Sequence, residues 1–155
     1  MIQRIQSFYL FLTAVSSVLF LKGKLLSFID TTGSEIRLTL TGIFRYNGDQ
    51  ILNSGESTFP FIVLIPAILI LSLGTIFVFK KRRLQLWLTG SVIFLVLLLI
   101  FLETFYALHI INEFDCRIIP GFNMCIPLLL LILTFLAFRG IRKDEQLVRS
   151  YDRLR

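Results

Sequence analysis

The chain has 155 residues, 55% of them hydrophobic and 17% charged, with a formal net charge of +6 and a mean hydropathy of +0.80. The length suits a single domain, residues 1–155, but a soluble fold of that size is less apolar, so an integral membrane protein is expected. The positive balance does not point to nucleic acid, because multi-pass proteins retain Lys and Arg in cytoplasmic loops. Two cysteines are too few for a disulfide-stapled scaffold.

The first apolar run, FYLFLTAVSSVLFL, follows MIQRIQS. Arg4 ahead of an apolar stretch resembles a signal peptide, but no small-x-small cleavage site follows and Lys22, Gly23 and Lys24 close the run. An uncleaved membrane helix over residues 2–21 is predicted.

The segment 22–58 is the sizeable part outside the bilayer. In EIRLTLTGIFRY, Ile36, Leu38 and Leu40 alternate with Arg37, Thr39 and Thr41, the period-two pattern of a half-buried strand. Gly42 shifts the phase, as a turn or bulge does. With LLSFID before it and Asn47-Gly48-Asp49 as a turn signal after it, two or three short antiparallel strands are expected on the outer mouth of the helices. Four charges of each sign leave this segment neutral, which argues against an electrostatic trap for anions.

The second run, FPFIVLIPAILILSLGTIFVF, covers residues 59–79 and is stopped by Lys80, Lys81, Arg82 and Arg83. The third, LQLWLTGSVIFLVLLLIFLETFYAL, covers residues 84–108 and begins at once, so the two helices form a tight hairpin. A loop follows, and the fourth run, MCIPLLLLILTFLAF, covers residues 124–138. A bilayer crossing takes about 20 helical residues at about 1.5 Å each. The expected fold is therefore an all-α membrane protein: an antiparallel bundle of four transmembrane helices, a small extracytoplasmic β-element between the first two, and a cytoplasmic amphipathic helix over residues 139–155.

Basic residues set the orientation. With both termini cytoplasmic, that side holds Arg4, Lys80, Lys81, Arg82, Arg83, Arg139, Arg142, Lys143, Arg149, Arg153 and Arg155, eleven of the sixteen Lys and Arg. The bacterial inner membrane is the expected location.

Four features carry candidate chemistry. Pro66 inside the second helix removes a backbone hydrogen bond and predicts a kink near residues 62–66. Glu103, in LLLIFLETFYALHI, is ionisable within a membrane run and for that reason a functional candidate, although it is expected near the outer end of the third helix, in reach of water. His109 and Glu113 share a helix face and form, with Asp115, an outer polar cluster; two ligands do not specify a metal. Cys116 and Cys125, in DCRIIPGFNMC, lie on the outer side where a disulfide can close the loop. Quinone-linked thiol oxidases and vitamin K epoxide reductase-like proteins also place cysteines near such a loop, but they need a CxxC relay and a second pair, which this C-x8-C spacing lacks. Trp87, Phe8, Tyr9, Phe105 and Tyr106 fit interfacial aromatic belts. No phosphate loop, nucleophile elbow or metalloprotease helix is present, so neither catalytic residues nor a metal nor a cofactor is expected.

The opening MIQRIQS and the closing IRKDEQLVRSYDRLR resemble the end signatures of the family called domain of unknown function 4293, small four-span inner-membrane proteins of Bacteroidota. The resemblance covers the whole chain in length and span pattern, and implies location and topology without any chemistry.

The tail after Arg139 reads as a helix. Glu145 precedes Arg149 by four, and Leu147, Tyr151 and Leu154 make one apolar stripe. Its interaction face is Arg142, Lys143, Leu147, Arg149, Tyr151, Arg153 and Leu154. It is expected to lie on the anionic inner leaflet, to dock on the 80–83 hairpin and Arg4, or to bind another protein. Its net charge of +3 disfavours docking on the hairpin unless Asp144, Glu145 or Asp152 faces it. The leading expectation is a non-enzymatic accessory or scaffold subunit of a membrane complex with a protein partner. The alternatives are a thiol oxidoreductase or redox sensor using Cys116 and Cys125, and a small-molecule or lipid transporter using Pro66 and Glu103.

Overall fold

A computed structural model describes residues 2–31, 33–47, 50–54, 58–78 and 81–153, with backbone alone for residues 2–4, 47, 50–54 and 148–153. Among the described residues four α-helices form, α1 (Ile2–Lys22), α2 (Phe59–Phe77), α3 (Arg82–Phe114) and α4 (Ile126–Arg153), each long and apolar enough to cross a membrane. Between 28% and 39% of the residues in each span are buried, so the larger part of every span faces outward. Those outward faces carry Phe11, Ile70, Trp87, Phe94, Phe101 and Ile132, whereas Thr13, Ser17, Ser72, Thr75, Thr89 and Thr134 are buried. Apolar outside and hydroxyl inside is the inverse of a soluble helical domain. It is the arrangement that suits hydrocarbon surroundings, where close helix packing and internal hydrogen bonds hold the helices together.

Helix α1 packs against α2 and α4, and α3 packs against the same two. The buried hydroxyls are satisfied within their own helices: Thr13 donates to the Tyr9 carbonyl at 2.9 Å, Thr89 to that of Gln85 at 2.8 Å, and Thr134 to that of Leu130 at 2.8 Å. Two glycines permit close crossings. A Cβ at Gly140 of α4 would stand 2.9 Å from Cγ of Gln6 on α1, and one at Gly23 would stand 2.5 Å from the side-chain nitrogen of Asn123. Helix α2 continues through Pro66, which removes the hydrogen bond that Ile62 would accept.

Five antiparallel strands, β1 (Leu26–Ile29), β2 (Glu35–Leu38), β3 (Ile43–Asn47), β4 (Gln50–Ser54) and β5 (Arg117–Ile119), form one sheet in the order β4-β3-β2-β1-β5. The expected alternation holds in β2, where Ile36 and Leu38 are buried and Arg37 is not. The phase shift at Gly42 is a turn: the Thr39 amide and hydroxyl both donate to the Gly42 carbonyl, at 2.9 and 2.8 Å. Asn47 pairs with Gln50, while Gly48 and Asp49 of the expected turn lie outside the described residues. The inner sheet face, with Leu26, Phe28, Ile36, Leu38 and Ile43, joins one buried cluster with Phe20, Phe61, Ile65 and Ile110. The Thr58 hydroxyl ties the start of α2 to the sheet by donating to the Thr39 carbonyl at 2.7 Å.

Four expectations need correction. The sheet has five strands among the described residues, not two or three: the segment between α1 and α2 folds into four, as two successive hairpins β1–β2 and β3–β4, and the loop after α3 adds β5 alongside β1, with Phe28 opposite Ile118. Helix α3 begins two residues earlier than predicted and runs six residues further, to Phe114, where Asp115 takes a left-handed conformation (φ 46°) that Asp tolerates at a helix end. The fourth span and the tail are not separate elements: α4 is continuous from Ile126 to Arg153, since Gly140 is held by its close contact with Gln6 and nothing else in 139–153 breaks a helix. Helix α2 closes at Phe77, two residues short of the predicted boundary.

Candidate functional site

The residues that α3 buries are Gln85, Thr89, Val92, Val96, Leu99, Glu103, Ala107 and Ile110. Their spacing of three and four places them on one stripe, and Glu103 falls in it. Glu103 is 8% exposed. It stands eleven residues before Phe114, about 16 Å of helix at 1.5 Å per residue, so it is not the water-accessible end group expected from an α3 that stopped at Leu108. Its Oε1 atom is buried and has no hydrogen-bond partner.

Glu103 lines a cavity of about 310 Å³ between α3, the start of α4 and the strands β1 and β5. Ala107 and Ile111 of α3, Leu26 of β1, Ile118 of β5, and Met124 and Pro127 complete most of its wall. The hydroxyl of Thr104, also in the wall, donates to the Ile100 carbonyl at 2.8 Å. A carboxyl is thus the polar feature of an otherwise apolar pocket, the combination expected of a small ligand site.

The opposite end of the helices holds a second buried carboxyl, Asp144, also 8% exposed. Here the group is satisfied: the Gln6 amide donates to its Oδ2 at 2.7 Å, and Arg82 donates to its backbone carbonyl at 3.2 Å. One residue on, Arg83 reaches Glu145 at 3.8 Å. The condition for docking the tail on the hairpin is met by Glu145, which faces Arg83, while Asp144 offers Arg82 its backbone carbonyl. Residues 139–153 are the direct continuation of the fourth span within α4. Arg142, Lys143 and Leu147 of the predicted interaction face are exposed. The side chains of Arg4, Arg149, Tyr151 and Arg153, and all of Lys80 and Leu154, lie outside the described residues.

A family model described as "Domain of unknown function (DUF4293)" matches residues 2–154. The chain belongs to that family. No curated protein and no solved structure matches it, so the chemistry available to this member of the family rests on its own residues.

The two cysteines are not brought together as a bridge. Both thiols are free, Cys116 buried and Cys125 exposed, and Cys116 Sγ lies 3.5 Å from the Ile110 carbonyl. The loop is instead closed by the β1–β5 pairing and by Asn123, whose side chain donates to the Lys24 carbonyl. Burial pushes the Cys116 thiol up, and the Asp30 and Asp115 carboxylates add to that. His109 and Glu113 do share a face, at 3.4 Å, and both are exposed. Among the described residues, no three His, Cys, Asp or Glu side chains gather to hold a metal ion.

On the sheet, Glu35 accepts from Arg37 at 2.6 Å and from Lys24 at 3.0 Å, Arg37 lies 4.5 Å over the Tyr46 ring, and Arg45 pairs with Asp30. The Arg37 guanidinium, with Lys24 behind it, holds the Glu35 carboxyl down at about 2 against partial burial.

The cavity residues contributed by β1, β5 and the start of α4 escaped sequence reasoning. The α3 stripe could have located the inward face of Glu103, since Gln85, Thr89 and Ala107 mark the same face by polarity and small size.

Proposed function

We propose that the protein is a multi-pass protein of the bacterial inner membrane, from a member of the Bacteroidota, built as a four-helix antiparallel bundle with both termini cytoplasmic. In this reading it is a non-enzymatic accessory or scaffold subunit of a membrane protein complex. The observation that carries the proposal is the projection of α4: the helix runs nine residues past Asp144 to Arg153, about 13 Å beyond the level at which Gln6 and Arg82 meet it. Arg142 and Lys143 just before Asp144, and Gln146 and Leu147 just after it, are exposed. A helix fixed at its base by buried polar contacts and continued beyond them offers a rigid docking element at low ordering cost. The weight of Lys and Arg at this end supports its cytoplasmic placement.

Thiol exchange receives less support. Its two sulfurs occupy different environments, and a thiol raised by burial is a weak nucleophile. Transport through Pro66 and Glu103 loses its joint site, because Pro66 is not in the wall of the Glu103 cavity.

The test is to purify the full chain in mild detergent and determine the mass of the native particle. A stoichiometric second polypeptide is expected, and the double variant Arg142→Glu, Lys143→Glu is expected to lose it while keeping its own unfolding midpoint. A solitary chain overturns the proposal.

A further inference from the structure

Among the described residues, three buried side-chain polar atoms lack a hydrogen bond: Nε of Arg37, Nε of Arg45 and Oε1 of Glu103. The two arginines are ion-paired through their other nitrogens, with Glu35 and Asp30. Glu103 differs, because its wall supplies no donor. The Thr104 proton is committed to Ile100, and Leu26, Ala107, Ile111 and Ile118 are apolar. A buried oxygen left without a donor is costly, and that cost is recovered when a ligand brings one.

The rim of the cavity shows where a ligand enters. Thr104, Leu108, Met124 and Leu128 are exposed and border the opening between α3 and α4, on spans whose outward faces are apolar. The way in is therefore sideways, between α3 and α4, past side chains that are mostly apolar. The 310 Å³ cavity holds roughly ten groups the size of a water at about 30 Å³ each, which suits a medium-length chain and excludes a whole phospholipid. Much of its wall, at Ala107, Ile111 and Ile118, lies on the sheet side of Glu103.

We propose that this cavity binds a membrane-partitioned amphiphile whose head donates a hydrogen bond to Oε1 of Glu103 and whose apolar body lies along Ala107, Ile111 and Ile118. A hydroxyl and an ammonium head share this chemistry. The proposal is independent of the scaffold reading, since it concerns the other end of the helices.

The test uses the full chain in phosphatidylcholine nanodiscs, whose head group carries no donor. Decanol, decylamine and methyl decanoate are added at equal mole fraction and the unfolding midpoint is followed. Decanol, decylamine or both are expected to raise the midpoint, and the acceptor-only ester to leave it in place. A response to decylamine alone assigns an ammonium head, and a response to decanol alone a hydroxyl. Glu103→Leu is expected to abolish the response, and Glu103→Gln, which keeps an acceptor oxygen, to retain the response to decanol. Should Glu103→Leu fail to fold, Ala107→Leu narrows the same cavity without touching the carboxyl and is expected to weaken binding at least tenfold. Equal responses to all three probes, no response in the unaltered protein, or wild-type responses in Glu103→Leu or Ala107→Leu overturn the proposal.

Discussion

Glu103 and Asp144 are carboxyls of equal burial at opposite ends of the same helices, and their surroundings differ in kind. Asp144 meets a designated donor from α1, and its carbonyl receives Arg82 from α3. Glu103 meets an apolar cavity and keeps one oxygen unpaired. The difference teaches that burial of an ionisable group in a hydrophobic chain does not by itself mark a functional site. What separates a structural latch from a candidate binding group is whether the fold brings a partner to it.

The comparison breaks most easily at the latch. Asp144→Leu leaves the Gln6 amide buried without an acceptor and is expected to cost about 2–3 kcal/mol, read as a lower denaturant midpoint in detergent; Asp144→Asn, which keeps an acceptor, should cost less than half of that. An unchanged midpoint for Asp144→Leu would show that the two carboxyls are equivalent after all. Gly140→Val tests the same crossing by shape. Its added atoms meet Cγ of Gln6, with an expected loss of about 1–3 kcal/mol, and Gln6→Ala in the same chain should restore part of it because the two sites are in contact.

At the other end the sign reverses. Glu103→Leu removes an unsatisfied polar atom and is expected to leave stability unchanged or to raise it by about 1 kcal/mol. A loss as large as that of Asp144→Leu would reveal a structural partner for Glu103.

The smallest effect lies on the sheet. Glu35 has its carboxyl held at about 2, below the ordinary 4.5, so its contribution is present above pH 4.5 and is lost as the pH falls through about 2. The pair is partly exposed, with 29% of the Glu35 side chain accessible, and solvent screening limits the contribution to about 0.5–1 kcal/mol. Glu35→Gln should flatten the acid limb of a stability–pH curve by that amount and leave the curve above pH 5 parallel to wild type.

Much of the fold was legible because it depends on local pattern. Four apolar runs, the alternation of Ile36 and Leu38, and the phase shift at Gly42 are properties of neighbouring residues, and each reappears as a helix, a strand or a turn. The boundary of α3 was not legible, because residues 109–114 are polar enough to read as a loop but are helical beneath the sheet. The candidate site was half legible. The α3 stripe points Glu103 inward, but the walls from β1, β5 and Met124 come from segments far away in the chain.

By itself, the sequence determined the number of long apolar segments, the family, the presence of a small β-element and a helical tail, because hydrophobic length and periodicity are set by adjacent residues. The tertiary structure alone decided three things: that β5 completes the sheet, that Asp144 is latched by a glutamine 138 positions away, and that Glu103 is left facing a cavity. Each depends on which groups meet when distant segments pack. A buried polar atom's energy is fixed by the partner it finds, and sequence spacing carries no record of that partner.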